Sequence, residues 1–124
     1  MTMDHIAIIP DGNRRWAKLQ SLEGRFGHEE GIKRLEEISD AVFERKIPYF
    51  TFWAGSVDNL TKRSGVEVNF LVKLLKDQLK KQIASSKFVR EKIKFKLIGE
   101  WREILNDAEL KTLADELEGQ TQNF

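Results

Sequence analysis

The sequence predicts an α/β fold, a parallel β-sheet with crossover helices, carried by a single domain over residues 1–124. Three observations point there. Short apolar runs end in glycine- or proline-bearing turns. The longer segments between them carry apolar residues at helical spacing. The two kinds alternate along the chain in the order β-α-β-α-β-α. Strands joined this way pair in parallel through right-handed crossovers. Ligands of such sheets sit beyond the carboxyl ends of the strands, which directs attention to residues 10–16 and 54–63.

Each element has its own signal. Ile6-Ala7-Ile8-Ile9 is a β-branched run closed by Pro10-Asp11-Gly12-Asn13, and a helix is expected to begin near Asn13. Ile32, Leu35, Ile38 and Val42 fall at helical spacing. Tyr49 to Ala54 is the second strand, opened by Pro48 and closed by Gly55. The apolar character of these two runs predicts burial on both faces. Ser64-Gly65-Val66-Glu67 has capping-box spacing ahead of the stripe Val68, Leu71, Val72, Leu75, Leu79 and Ile83. Ile93 to Ile98 alternates with Lys94 and Lys96 and stops at Gly99, which predicts a third strand at an edge or half-covered position. Leu105 to Leu117 reads as a further helix, with Asn106 and Glu109 as its cap pair.

Composition narrows the function classes. With 33% charged residues and a net charge of +1, no global field favours nucleic acid. Charge is uneven, however. Residues 14–34 hold Arg14, Arg15, Lys18, Arg25, Lys33 and Arg34 against Glu23, Glu29 and Glu30, a bias suited to a small anion. No cysteine is present, which excludes disulfides and thiolate metal sites and suits a reducing cytoplasm. Met1-Thr2-Met3-Asp4 does not read as a signal peptide, and no apolar run approaches a membrane span.

Two loops carry candidate chemistry. In Asp11-Gly12-Asn13-Arg14-Arg15-Trp16, Gly12 permits a tight turn or close ligand approach. A helix starting at Asn13 would aim free N–H groups at an anion, and Arg14 and Arg15 would add charge-assisted donors. Asp11 has the wrong charge to hold phosphate directly but suits a hard cation such as Mg²⁺ placed between carboxylate and phosphate. The same residues also suit a plain turn with an Asx cap, and the loop alone leaves both readings open. His28, in Gly27-His28-Glu29-Glu30-Gly31, is either a donor or proton carrier or a surface or capping histidine. Around the second strand's end, Ser56 and Asn59 are compact neutral donors, and Lys62 and Arg63 could meet a second phosphate. A polar loop with ordinary capping residues accounts for them equally. Taken together, the two loops describe a pocket for a metal-bridged diphosphate, with the apolar stripe of residues 66–83 as its wall or as core.

His5 to Ala17, including Pro10-Asp11-Gly12-Asn13-Arg14-Arg15-Trp16, resembles the signature opening of the cis-prenyltransferases, of undecaprenyl and dehydrodolichyl diphosphate synthase type. Gly27-His28 and Gly31 follow at matching spacing. Trp53-Ala54-Gly55-Ser56-Val57-Asp58-Asn59-Leu60, with Arg63 and Glu67-Val68, resembles the second signature, and Ile98-Gly99 the end of the third strand.

The resemblance implies a Mg²⁺-dependent transferase that adds isopentenyl diphosphate to an allylic diphosphate with a cis double bond. It implies catalytic roles for Asp11, Ser56 and Asn59, with Asp11 on the metal. It implies substrate-binding roles for Gly12, Asn13, Arg14, Arg15, Trp16, Arg25, His28, Ser56, Asn59 and Arg63. Arg14 stands where the family commonly has glycine, and Gly24 where it commonly has arginine, with Arg25 as the neighbouring substitute. Family members run about twice the length of one small α/β domain. The resemblance therefore covers an N-terminal half, without the segment expected to hold isopentenyl diphosphate. Weak allylic diphosphate binding, with poor turnover or none, is expected of this chain alone. A homodimer or a complementing partner chain is expected, in the cytoplasm, with peripheral membrane contact only through the lipid product. The alternative is a non-catalytic or complementing subunit. A phosphohydrolase using Asp11 ranks last, because residues 10–16 hold no second carboxylate.

Overall fold

The computed structural model describes residues 2–124. Two compact units divide the chain, Met1–Ser56 and Val57–Phe124.

In the first unit, β1 (His5–Ile8) leads into α1 (Asn13–Leu19), α2 (Gly24–Glu44) and β2 (Tyr49–Phe52). The strands pair in parallel, with His5 opposite Tyr49 and Ile8 opposite Phe52. The parallel α/β class is therefore as expected. Trp53 N–H donates to the Ile8 carbonyl (2.9 Å), carrying the pairing past the strand end. Burial on both faces is not seen. Ile6, Ile8, Phe50 and Phe52 turn to the half-buried face, where Phe43 of α2 meets Phe50 edge-on. His5, Ala7, Tyr49 and Thr51 lie exposed on the other. The reason is that the sheet's apolar cover comes from one side, and period-2 alternation then leaves every second residue in solvent. The His5 ring joins the strands: its Nε2 bonds the Thr51 hydroxyl across the sheet (2.8 Å).

Glycine sets the spacing of α1 and α2. A Cβ on Gly27 would lie 2.0 Å from the Asn13 carbonyl oxygen, and one on Gly31 would lie 3.1 Å from Asn13 Nδ2. Ala17 is fully buried in this crossing. Both helices stop in the same way. Leu22 N–H reaches the Ala17 carbonyl (2.8 Å) with Ser21 left-handed, and Ile47 N–H reaches the Val42 carbonyl (3.2 Å) with Lys46 left-handed. These are Schellman closures without the usual glycine, and Pro48 follows the second.

The second unit is helical: α3 (Val57–Lys62), α4 (Gly65–Ser85), α5 (Lys87–Arg90), α6 (Trp101–Leu105) and α7 (Ala108–Thr121). Its core joins Val72 and Leu79 of α4 to Trp101, Leu110, Ala114 and Leu117. The predicted α4 cap is present, with Ser64 Oγ accepting from Glu67 N–H (3.2 Å). Two expectations need correction. Ile93 to Ile98 pairs with no strand among the described residues, and the sheet has two strands. Its alternate N–H groups are taken by α7 instead: Phe95 donates to Thr121 Oγ1 (3.0 Å) and Leu97 to Glu118 Oε1 (2.9 Å). The run keeps the alternating half-burial expected of it. Asn106 does not open α7; it ends α6 in a left-handed conformation. Asp107 is the cap, with its Oδ1 accepting from Leu110 N–H (2.8 Å). Among the described residues, no helix is long and apolar enough to cross a membrane.

Candidate functional site

The first loop forms where β1 runs out. Gly12 adopts φ 85°, a left-handed conformation that costs glycine little. From there the chain turns directly into α1, and Trp16 N–H donates to the Gly12 carbonyl (2.8 Å). Gly12 N–H donates to Asp11 Oδ1 (2.7 Å), which fixes the Asp11 carboxylate at the turn.

This turn forms one end of a cavity of about 350 Å³ within the first unit. Pro10, Asp11, Gly12, Asn13 and Trp16 contribute from the loop and α1, and Gly27, Glu30, Gly31 and Arg34 from α2. Ile8, Leu35, Ile38 and Phe52 give the cavity an apolar part. One cavity thus offers backbone and side-chain polarity beside a greasy wall. That arrangement suits a ligand with a charged head and a hydrocarbon tail. Its length along α2, from Gly27 to Ile38, spans about three helical turns.

The expected site residues divide as follows. Asp11, Gly12, Asn13 and Trp16 meet at the cavity. Arg14 and Arg15 are exposed on α1. The stem of Arg14 lies over Gly24, with Cγ 3.4 Å from where a Cβ there would be. A Cβ at position 24 would therefore meet the Arg14 stem in ordinary van der Waals contact. Arg25 pairs with Glu23 (3.0 Å) and stacks over Phe26 (4.8 Å). His28 is buried at 8% exposure on α2, next to the tightly packed Gly27. Ser56 closes the first unit, half-buried. Asn59 and Arg63 belong to the second unit, where Arg63 N–H donates to the Asn59 carbonyl (3.1 Å) and the Arg63 guanidinium lies 3.8 Å from Glu67.

Sequence reasoning missed Glu30, Arg34, Leu35, Ile38 and Phe52 as cavity residues. Leu35, Ile38 and Phe52 sit in runs that read as core. Glu30, Arg34 and Glu37 carry a legible signal in their i,i+4 and i,i+3 spacing. Arg34 donates to Glu37 (2.9 and 3.2 Å) and to Glu30 (2.7 Å). The hydrogen bond to Glu37, then that to Glu30, holds its guanidinium above its ordinary pKa.

The donor set limits how a metal could bind. Among the described residues there is no cluster of three His, Cys, Asp or Glu able to hold an ion. Magnesium does not require one. It keeps several waters and binds through one or two carboxylates plus substrate phosphates. Asp11, the loop carboxylate at the cavity, fits that mode.

Fold and cavity together describe an α/β protein with a cleft that is polar at one end and apolar along its wall. Comparison with known proteins makes this specific. The profile of the undecaprenyl diphosphate synthase family of prenyltransferases matches residues 9–124, and the chain belongs to that family. It is 41% identical to an isoprenyl transferase of Helicobacter hepaticus over 96% of this chain and 48% of the relative. It is 39% identical to one of Brucella suis over 94% of this chain and 44% of the relative. The chain therefore spans about half the length of the curated relatives it matches. Its fold superposes on lavandulyl diphosphate synthase from Lavandula x intermedia, solved in complex with dimethylallyl diphosphate. That match has TM-score 0.83 and 31% identity, and covers 96% of this chain and 49% of that one.

Proposed function

We propose that this chain carries the allylic-diphosphate site of an isoprenyl transferase. The enzyme condenses isopentenyl diphosphate with an allylic diphosphate to give a cis-polyprenyl diphosphate. The observation that carries this is the cavity with Asp11, Gly12 and Asn13 at its polar end and Ile8, Leu35, Ile38 and Phe52 along its apolar part.

The roles follow from the chemistry. Bond cleavage at the allylic carbon releases diphosphate as an anion, so groups that stabilise negative charge lower the barrier. Gly12 and Asn13 at the cavity, with Arg14, Arg15, Arg25 and His28 on the helices beside it, are the proposed diphosphate contacts, and Trp16 lies against the bound ligand. Asp11 would hold a magnesium ion against the phosphate oxygens, supplying Lewis-acid charge for the leaving group. Ser56, Asn59 and Arg63 would act in positioning substrates and in the condensation step, in which the alkene of isopentenyl diphosphate attacks the electron-poor carbon and a base then removes a proton. The protein is assigned to the cytoplasm, acting as a homodimer or with a complementing chain, and meeting a membrane only peripherally through its lipid product.

The test is calorimetric titration of farnesyl diphosphate into the 124-residue chain with Mg²⁺ and with EDTA. Saturable binding is expected, tighter with Mg²⁺ than with EDTA, and Asp11→Ala should abolish that difference. Equal affinity in Mg²⁺ and EDTA would remove Asp11 from the metal role. No binding by the folded chain would remove the site.

A further inference from the structure

Of the described residues that line the cavity, Arg34 alone is basic, and two carboxylates already hold it. How firmly they hold it decides what it can do. The side chains of Arg34 and Glu37 are 61% and 64% exposed, and that of Glu30 is 27% exposed. Ion pairs this open to water contribute little and exchange readily. Neither carboxylate is stranded if Arg34 leaves. Glu30 has Lys33 at 3.8 Å as a second partner, and Glu37 stands in solvent. A diphosphate in the cavity brings more negative charge than either glutamate. Its paired oxygens match the planar fork of a guanidinium, which grips them with parallel N–H bonds.

We propose that Arg34 is a diphosphate-binding residue of this cavity, kept at its wall by Glu30 and Glu37 and passed from them to the phosphate oxygens when the ligand binds. This rests on the reading of the cavity as an allylic diphosphate site. The glutamates act in two opposed ways. They keep the guanidinium placed and ordered, and they compete with the ligand for it. Removing one of them should therefore tighten binding, and only while Arg34 is present.

Titration of inorganic pyrophosphate into the full chain, in Mg²⁺ at one low ionic strength, tests this. Exposed charge effects are screened by salt, so the ionic strength must be held constant. Arg34→Ala is expected to weaken binding about tenfold. Arg34→Lys should fall between, because it keeps the charge and loses the fork. Glu37→Gln should tighten binding about threefold, and the Arg34→Ala/Glu37→Gln double variant should bind like Arg34→Ala. If the gain from Glu37→Gln persists without Arg34, the glutamate acts by general repulsion of the anion and the proposal is overturned. Wild-type affinity in Arg34→Ala would also overturn it, making the cluster a brace for α2. Both results leave the cavity reading standing. If the wild-type chain binds neither pyrophosphate nor farnesyl diphosphate, the cavity reading fails and this proposal fails with it.

Discussion

Gly27 shows how little room the site has for error. Its missing Cβ is replaced in space by the backbone carbonyl of Asn13, and backbone cannot step aside as a side-chain tip can. Gly27→Ala is expected to destabilise the chain by about 2 kcal/mol through overpacking. It should also weaken diphosphate binding, because the α1 residue forced to move, Asn13, lines the cavity. Thermal melts with and without farnesyl diphosphate measure both effects, and an unchanged melting temperature would show that α1 shifts freely. Gly65, with nothing within 4 Å of its absent Cβ, is the natural control. At this scale the site was half legible in the sequence. Asp11 to Trp16 stood out because turn chemistry and charge are local. Arg34 stood out only as one of six basic residues in 14–34, because its place at the cavity depends on which face of α2 meets β1 and β2.

Among the elements, α7 is held near both of its ends. Asp107 caps it through Leu110 N–H and reaches across to Lys76 of α4 (3.1 Å), while Thr121 and Glu118 hold the preceding run. The Leu110 bond first, and then Lys76, depress the Asp107 pKa below the ordinary carboxylate range. A carboxylate depressed on folding contributes stability above its unfolded pKa, near 4, and loses it as pH falls through the lower folded value. Acid unfolding followed by helical circular dichroism should therefore begin at higher pH in Asp107→Ala than in wild type. Coincident acid curves would remove the cap from the stability of α7. The long helices α2, α4 and α7 were readable from their period, and α4 also from its cap, because both are local signals; the short α3, α5 and α6 were not read. Ile93 to Ile98 was misread because Glu118 and Thr121, which take its N–H groups, lie 21 and 26 residues along the chain. Asn106 and Asp107 are both good caps, so only the left-handed turn at Asn106 decides between them.

For the whole molecule, the two units carry different parts of the expected chemistry. The cavity with Asp11 lies in Met1–Ser56, and Asn59 and Arg63 lie in Val57–Phe124. The outer face of the strand pair has a consequence of another kind. Tyr49 is 66% exposed, and Ile9 (74%) and Trp53 (49%), just past the strand ends, continue the same parity. Three large apolar side chains beside short strands make a sticky colloidal surface. Purified chain should lose monomer as concentration rises, which light scattering would register as growing particle size, and Tyr49→Lys/Trp53→Lys should hold it monodisperse. Dilution, more than cooling, would then be the better way to keep this polypeptide in solution.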